Sequence, residues 1–385
     1  MKVIVVGAGI LGASVARSLA AAGEDVLLLD RWGAGTGTTA TTFSWVNSNR
    51  KLAPEYFRLN VEGMAEHATL ARDLAGPPSY FPSGSVHCAD ARNEPWLVNN
   101  VEALQSLGYP ARWVDRDEAA RIAGEIRIPG STTAIAHFPG EGYVLPERLL
   151  GNLLDDARRH GAEISVGEVV AVEETPHGSR VTLADGEVRD ADRIVLATGR
   201  WTDDLAARSD VDIPMMTEIR QGSPIIGLLG YVTSPEVDLR CVVHTPSLNL
   251  RPAAGGQTVV QALDLNALVD PALPPSTDIG RAIAERFADL VPTRSGPPEI
   301  DLRVAIRSMP ADGFTIAGFT SADSRIYALV THSGITLAPL LGRLAAAEIT
   351  GGEPHDLLAS FRPTRFAGVP RTDLVVHRPT RLGEQ

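Results

Sequence analysis

The sequence predicts an α/β protein of two interleaved domains, one built on a buried parallel sheet and the other richer in short strands and turns. Three observations carry this. The first thirty residues read as strand, glycine turn, helix and strand. The same buried-strand and amphipathic-helix pattern returns near Tyr143 and again beyond Leu302. Between these stretches, residues 76–142 and 214–298 hold short strand-like runs broken by Gly and Pro.

Residues 3–6 form an apolar, β-branched run that leads directly into Gly7-Ala8-Gly9-Ile10-Leu11-Gly12. Gly7 permits a tight turn, Gly9 lets backbone approach a pyrophosphate, and Gly12 lets the next helix pack closely on the strand. That helix spans about residues 11–22, and a second buried strand ends at Asp30, where a ribose hydroxyl would need an acceptor. Together these elements predict a Rossmann-like dinucleotide site. The segment that follows, from Arg31 through Thr38 and Thr39, is rich in glycine and hydroxyls and suits the wrapping of phosphates. Asn47, Asn49, Arg50 and Lys51 then crowd two amides and two cations before a helix over residues 54–74. They read either as a solvated helix approach or as part of a site.

A helix over residues 146–160, a strand over 163–166 and a hairpin through His177-Gly178 restore the α/β pattern, and residues 193–199 form a buried strand ending in Ala197-Thr198-Gly199. Such an ending brings backbone up to a ligand or serves as a close turn. Late in the chain a buried strand at residues 327–330 enters His332-Ser333-Gly334-Ile335-Thr336, the start of an Ala- and Leu-rich helix. The free N–H groups at that start suit developing negative charge. The predicted division is 1–75, 143–213 and 299–366 for the dinucleotide domain, 76–142 and 214–298 for the second domain, and 367–385 for a loosely attached tail.

The composition, 385 residues with 44% hydrophobic and 21% charged, is that of a globular protein with room for a large core. A formal net charge of −12 argues against nucleic acid as a partner. Cys88 and Cys241 are the only cysteines and lie far apart, so neither a disulfide framework nor a metal cluster is expected. The absence of a basic leader with a cleavage site and of a membrane-length apolar run leads to the expectation of a cytoplasmic protein. Lys2 and Lys51 are the only lysines.

The order of five segments resembles the flavin-dependent D-amino acid oxidase family, which includes glycine oxidase, sarcosine oxidase and the D-amino acid dehydrogenases. The segments are Gly7 to Gly12 with Asp30, Gly142-Tyr143-Val144-Leu145-Pro146, Val195 to Trp201, Arg307 to Gly313, and His332 to Pro339. The resemblance implies a discontinuous FAD-binding domain and a second, mainly antiparallel-sheet substrate domain. It implies that Gly7, Gly9 and Gly12 line the pyrophosphate and Asp30 the ribose, with Ile10 and Leu11 also contacting the cofactor. Arg31, Thr38 and Thr39 would join them from the following loop, and Val170 would meet the adenine. Thr198, Gly199, Trp201, Arg307, Ser333, Gly334, Ile335 and Thr336 would complete the FAD site. Arg307 would pair bidentately with a substrate carboxylate beside the flavin, the alternative being a structural pair with an acid such as Asp312. Lys51 and Asn49 are the further catalytic candidates.

Two departures shape the expectations. Ala305 stands where monomeric sarcosine oxidases carry the cysteine that attaches the flavin, so non-covalent FAD is expected. No lysine occurs in residues 257–261, where those enzymes place the one that assists oxygen, and Lys51 is the candidate substitute. The implied reaction is oxidation of the C–N bond of an amino acid or secondary amine by hydride transfer to flavin N5, giving an imine, with O2 as a possible acceptor. The alternatives are a flavin dehydrogenase with another acceptor, an electron-relay flavoprotein subunit, and a nicotinamide-dependent dehydrogenase in which the Gly334 junction has no role. Substrate identity and oligomeric state stay open.

Overall fold

The computed structural model describes residues 1–374 apart from 52, 210, 234–236 and 293–296. A six-stranded sheet runs in the order Ile316–Phe319, Ile326–Val330, Arg193–Leu196, Lys2–Val6, Asp25–Asp30 and Glu163–Val166. Every pairing is parallel except that of the Ile316–Phe319 edge strand. Alternation along the first strand sends Val3 and Val5 to one core, with Leu19, Leu337 and Leu341 of the covering helices. Ile4 and Val6 enter another, with Val172 and Val181 of a three-stranded antiparallel layer over residues 169–191. A parallel sheet covered on both faces explains why its strands are continuously apolar.

Helices Ile10–Ala21 and Gly334–Ile349 cross where Gly342 meets Ser14; a Cβ on Gly342 would lie 2.8 Å from Ser14 backbone. Their N-termini therefore come to neighbouring ends of the same parallel sheet.

The second sheet has eight strands, in the order Ile300–Ile306, Ile226–Val232, Thr258–Gln261, Asn249–Pro252, Val242–His244, Ser85–Asp90, Thr132–Phe138 and Arg112–Trp113. Only Val242–His244 and Ser85–Asp90 pair in parallel. Leu228, Val260, Leu250, Val243 and Val86 point into a core closed by Phe287 and Ile283 of helix Thr277–Leu290. Their neighbours Gly227, Gln261, Asn249, His244 and His87 take the opposite face by the two-residue period of a strand. Residues 300–306, placed by the sequence in the first domain, are an edge strand of this sheet.

The tail is not loose up to residue 374. Arg371 pairs with Asp203 at 2.5 Å and Asp212 at 2.6 Å, and Phe366 is buried. Residues 375–385 of the expected tail lie outside the described residues.

Candidate functional site

A cavity of about 320 Å³ runs between the two sheets, from Asp30 at one end to His244 and Arg307 at the other. At its first end the chain turns at Gly7, whose φ is +101°, and a Cβ there would lie 2.5 Å from the Ala197 carbonyl oxygen. A Cβ on Gly12 would lie 1.8 Å from the Gly7 carbonyl oxygen. Gly9 differs, because a Cβ there would meet only Thr39 Oγ1 at 3.4 Å, so this glycine opens the floor of the cavity. The Ile10 N–H donates to Thr39 Oγ1 at 3.1 Å. Leu11 lines the cavity as well, in a first helical turn whose N–H groups lack intrahelical acceptors.

Asp30 accepts from the Ala8 N–H at 2.9 Å and the Trp32 N–H at 3.0 Å, which fixes its carboxylate at the cavity edge. The Arg31 guanidinium lies 3.7 Å from the Trp32 ring centroid and 4.3 Å from that of Trp201, and 3.8 Å from Glu168. Thr38 donates to the Ile306 carbonyl at 2.8 Å, tying this loop to the second sheet. Thr198 and Gly199 face the cavity beside Ser308, a buried hydroxyl with no hydrogen-bond partner among the described residues. Ser333, Gly334, Ile335 and Thr336 line the far end, where the helix N-terminus has no side-chain cap.

Arg307 also lines that end and is half-buried. It donates to the Pro224 carbonyl at 2.8 Å and has no carboxylate partner among the described residues; burial lowers its pKa. Asp312, the acid that sequence reasoning offered it, is held instead by Arg365 at 2.8 and 3.1 Å. A guanidinium left so in a cavity wall is a site for an incoming anion.

Lys51 is 3% exposed, lines the cavity, and donates to the Asn47 carbonyl at 2.7 Å and its Oδ1 at 3.1 Å. Burial pushes its pKa down to about 7, against the opposing pull of Glu141. Asn49 does not face the cavity. It donates to Glu141 at 3.1 Å and accepts from Asn100 at 2.9 Å, so its part is to support the wall. Gly12 and Val170 also lie off the wall. The first packs against the glycine turn, and the second sits between residues 169 and 171, where the strand register shifts.

Sequence reasoning missed the group behind this wall. Glu141 is fully buried and accepts from Trp45 Nε1 at 2.9 Å, Asn49 Nδ2 at 3.1 Å, Ser85 Oγ at 2.5 Å and Tyr109 OH at 2.9 Å. Desolvation raises its pKa to about 7, against those hydrogen bonds. Ser44 and Arg50, with φ of +56° and +64°, bracket the segment that it anchors. Such left-handed non-glycine backbone costs free energy and concentrates at functional sites.

The uncapped N–H groups at the Gly334 helix start, the first turn of the helix at Ile10, the opened glycine floor, a fixed carboxylate and the Ser308 hydroxyl form one elongated cradle, and they fit an extended dinucleotide with an electron-accepting ring at the Gly334 end. The model of a family described as FAD dependent oxidoreductase, designated DAO, matches residues 2–348. The chain belongs to this DAO family of FAD-dependent oxidoreductases. Glycine oxidase of Geobacillus kaustophilus is 24% identical over 378 residues, covering 95% of this chain and 97% of that protein. Its crystal structure superposes with a TM-score of 0.82 at 21% identity, over 94% of this chain and 99% of that one, and the DAO fold is shared. The 4-methylaminobutanoate oxidase (formaldehyde-forming) of Paenarthrobacter nicotinovorans is 26% identical over 96% of this chain, which spans only 46% of that longer protein. FAD is the cofactor of the DAO family, and no helix among the described residues is long and apolar enough to cross a membrane.

Proposed function

We propose that this DAO-family protein oxidises the C–N bond of a carboxylated amine or amino acid, with FAD held non-covalently along the cavity. The observation that carries this reading is Arg307, a guanidinium in the wall of the reactive end with, among the described residues, a single carbonyl partner and no acid. Bound FAD would supply the hydride acceptor, and the protein supplies position and charge. Gly7, Gly9, Leu11, Asp30, Thr39 and the Thr198-Gly199 turn hold the nucleotide half. The N–H groups at Gly334 to Thr336 face the other half, where negative charge gathers on reduction. Arg307 takes the substrate carboxylate and so aims the adjacent C–H bond. Ala305 lines the cavity and offers no atom for a covalent link. Two free, buried cysteines suit a reducing compartment such as the cytoplasm.

The test is anaerobic mixing of FAD-reconstituted protein with glycine, N-methylglycine and D- and L-amino acids. Loss of flavin absorbance with carboxylated amines is the expected result. A protein that takes up no FAD, or whose absorbance no amine bleaches, would sink the proposal.

Lys51 favours O2 as the electron acceptor, because its ammonium form places positive charge where charge develops as oxygen is reduced. With a pKa lowered to about 7, Lys51 is charged below pH 7 and neutral above it. Reoxidation of the reduced enzyme by O2 should therefore be fastest below pH 7 and fall about tenfold per pH unit above it. Lys51→Met should be slower by ~10²-fold at pH 6 and independent of pH. Stopped-flow reoxidation over pH 5.5–9 reads both; a wild-type rate that does not change across pH 7 removes Lys51 from this role.

A further inference from the structure

Resting on the oxidation of a carboxylated amine, we propose that the substrate carries a second carboxylate, received by His244 and Asn249 on the cavity face of the eight-stranded sheet. Strand register builds this subsite. His87 pairs with His244, His244 with Asn249, and Asn249 with Gln261, so four polar side chains form one row across four strands. The last three of them line the cavity.

His244 is 6% exposed, and its ring nitrogens make no hydrogen bond of good geometry among the described residues, although the Asn249 side chain lies close enough to act on the ring's protonation. Its ring is held rigidly, 4.3 Å from the Trp45 ring and 4.3 Å from that of His87. Burial and the nearby Arg50 charge keep the ring neutral, with a pKa pushed down to about 3. A neutral imidazole has one N–H to donate, the Asn249 amide has two, and a carboxylate can accept them together. A buried ring without a well-aligned hydrogen bond is costly, which a ligand that satisfies it would relieve.

Charge selects an acid over a neutral group. The only carboxylates lining the cavity among the described residues are Asp30, Glu168 and Asp204, and Asp30 and Glu168 are both bound up with the Arg31 end. The other end carries Arg307, Arg50 and Lys51. A Cβ on Gly227 would lie 3.5 Å from Arg307, and Asn249 stands two strands away, about 10 Å laterally and level in register with Leu229. The substrate class is therefore an amino diacid or an N-carboxyalkyl amino acid.

The test is equilibrium titration of the oxidised holoenzyme with acetate, succinate and glutarate, read by perturbation of flavin absorbance. At least one dicarboxylate should bind ~10-fold or more tightly than acetate. That margin should collapse in both His244→Phe, which keeps a ring in the stack, and Asn249→Leu. Equal affinity for acetate and both dicarboxylates in the wild type, or an undiminished margin in the folded variants, would overturn the subsite. The titration needs no turnover, so failure of every amine to bleach the flavin would refute the oxidation reading without altering this ratio.

Discussion

Arg307→Ala should lower kcat/KM for a carboxylated amine by ~10²–10³-fold, the loss of two charge-assisted hydrogen bonds worth about 3–4 kcal/mol in the transition state. Flavin content should be nearly unchanged, since the described cradle for the nucleotide lies mostly at the other end of the cavity. Arg307→Lys should recover only part of the loss, because an ammonium cannot present two parallel N–H groups to a carboxylate. The measurement is the rate of anaerobic flavin reduction for matched amines with and without a carboxylate. If wild type and Arg307→Ala reduce at equal rates with the carboxylated member, the guanidinium does not hold substrate. Its retention in the wall would then need another reason, and Asp312 cannot supply it because Arg365 already occupies that carboxylate.

Glu141→Ala should cost about 3–5 kcal/mol of stability, lowering the Tm by roughly 5–10 °C. The carboxylate is buried completely and satisfies donors on four residues, Trp45, Asn49, Ser85 and Tyr109. Removing it strands those donors where water does not replace it. Glu141→Gln keeps the shape and one acceptor, and should lose roughly 1–2 kcal/mol. Thermal melts of the three proteins decide the matter. An alanine variant within about 0.5 kcal/mol of wild type would mean that the network contributes little to the native state. Because Trp45 and Asn49 belong to the wall segment that carries Lys51, the same variant should also disturb the reactive end.

The end of the cavity proposed for the nucleotide was legible because its parts are local. Strand, turn, helix and acid follow one another within thirty residues, and each glycine's role is steric. The Gly334 junction was legible for the same reason. The opposite wall was not, because its construction is lateral. Glu141 gathers partners from residues 45, 49, 85 and 109, and the row of His244, Asn249 and Gln261 exists only once three strands have paired in register. Asn49 shows the limit at a single residue. Its neighbours Asn47 and Lys51 line the cavity, but its own side chain is turned to Glu141. Strand Thr132–Phe138, which pairs on both sides in the eight-stranded sheet, falls in a stretch that composition presented as irregular. Its alternation of small and β-branched residues is too weak to declare a strand without the neighbours that bury it.

The two sheets are threaded through one another along the chain, and this dictates an order of events during synthesis. The six-stranded sheet lacks its second and third strands from one edge until residues 193–196 and 326–330 exist, and the eight-stranded sheet lacks an edge strand until residues 300–306 exist. A nascent chain released at residue 290 would carry unpaired edges on both sheets, the condition that favours association with other chains. The helix start at Gly334 comes later still. Cofactor capture must then be among the last steps, a seal placed on a framework whose earliest strand was translated some three hundred residues before.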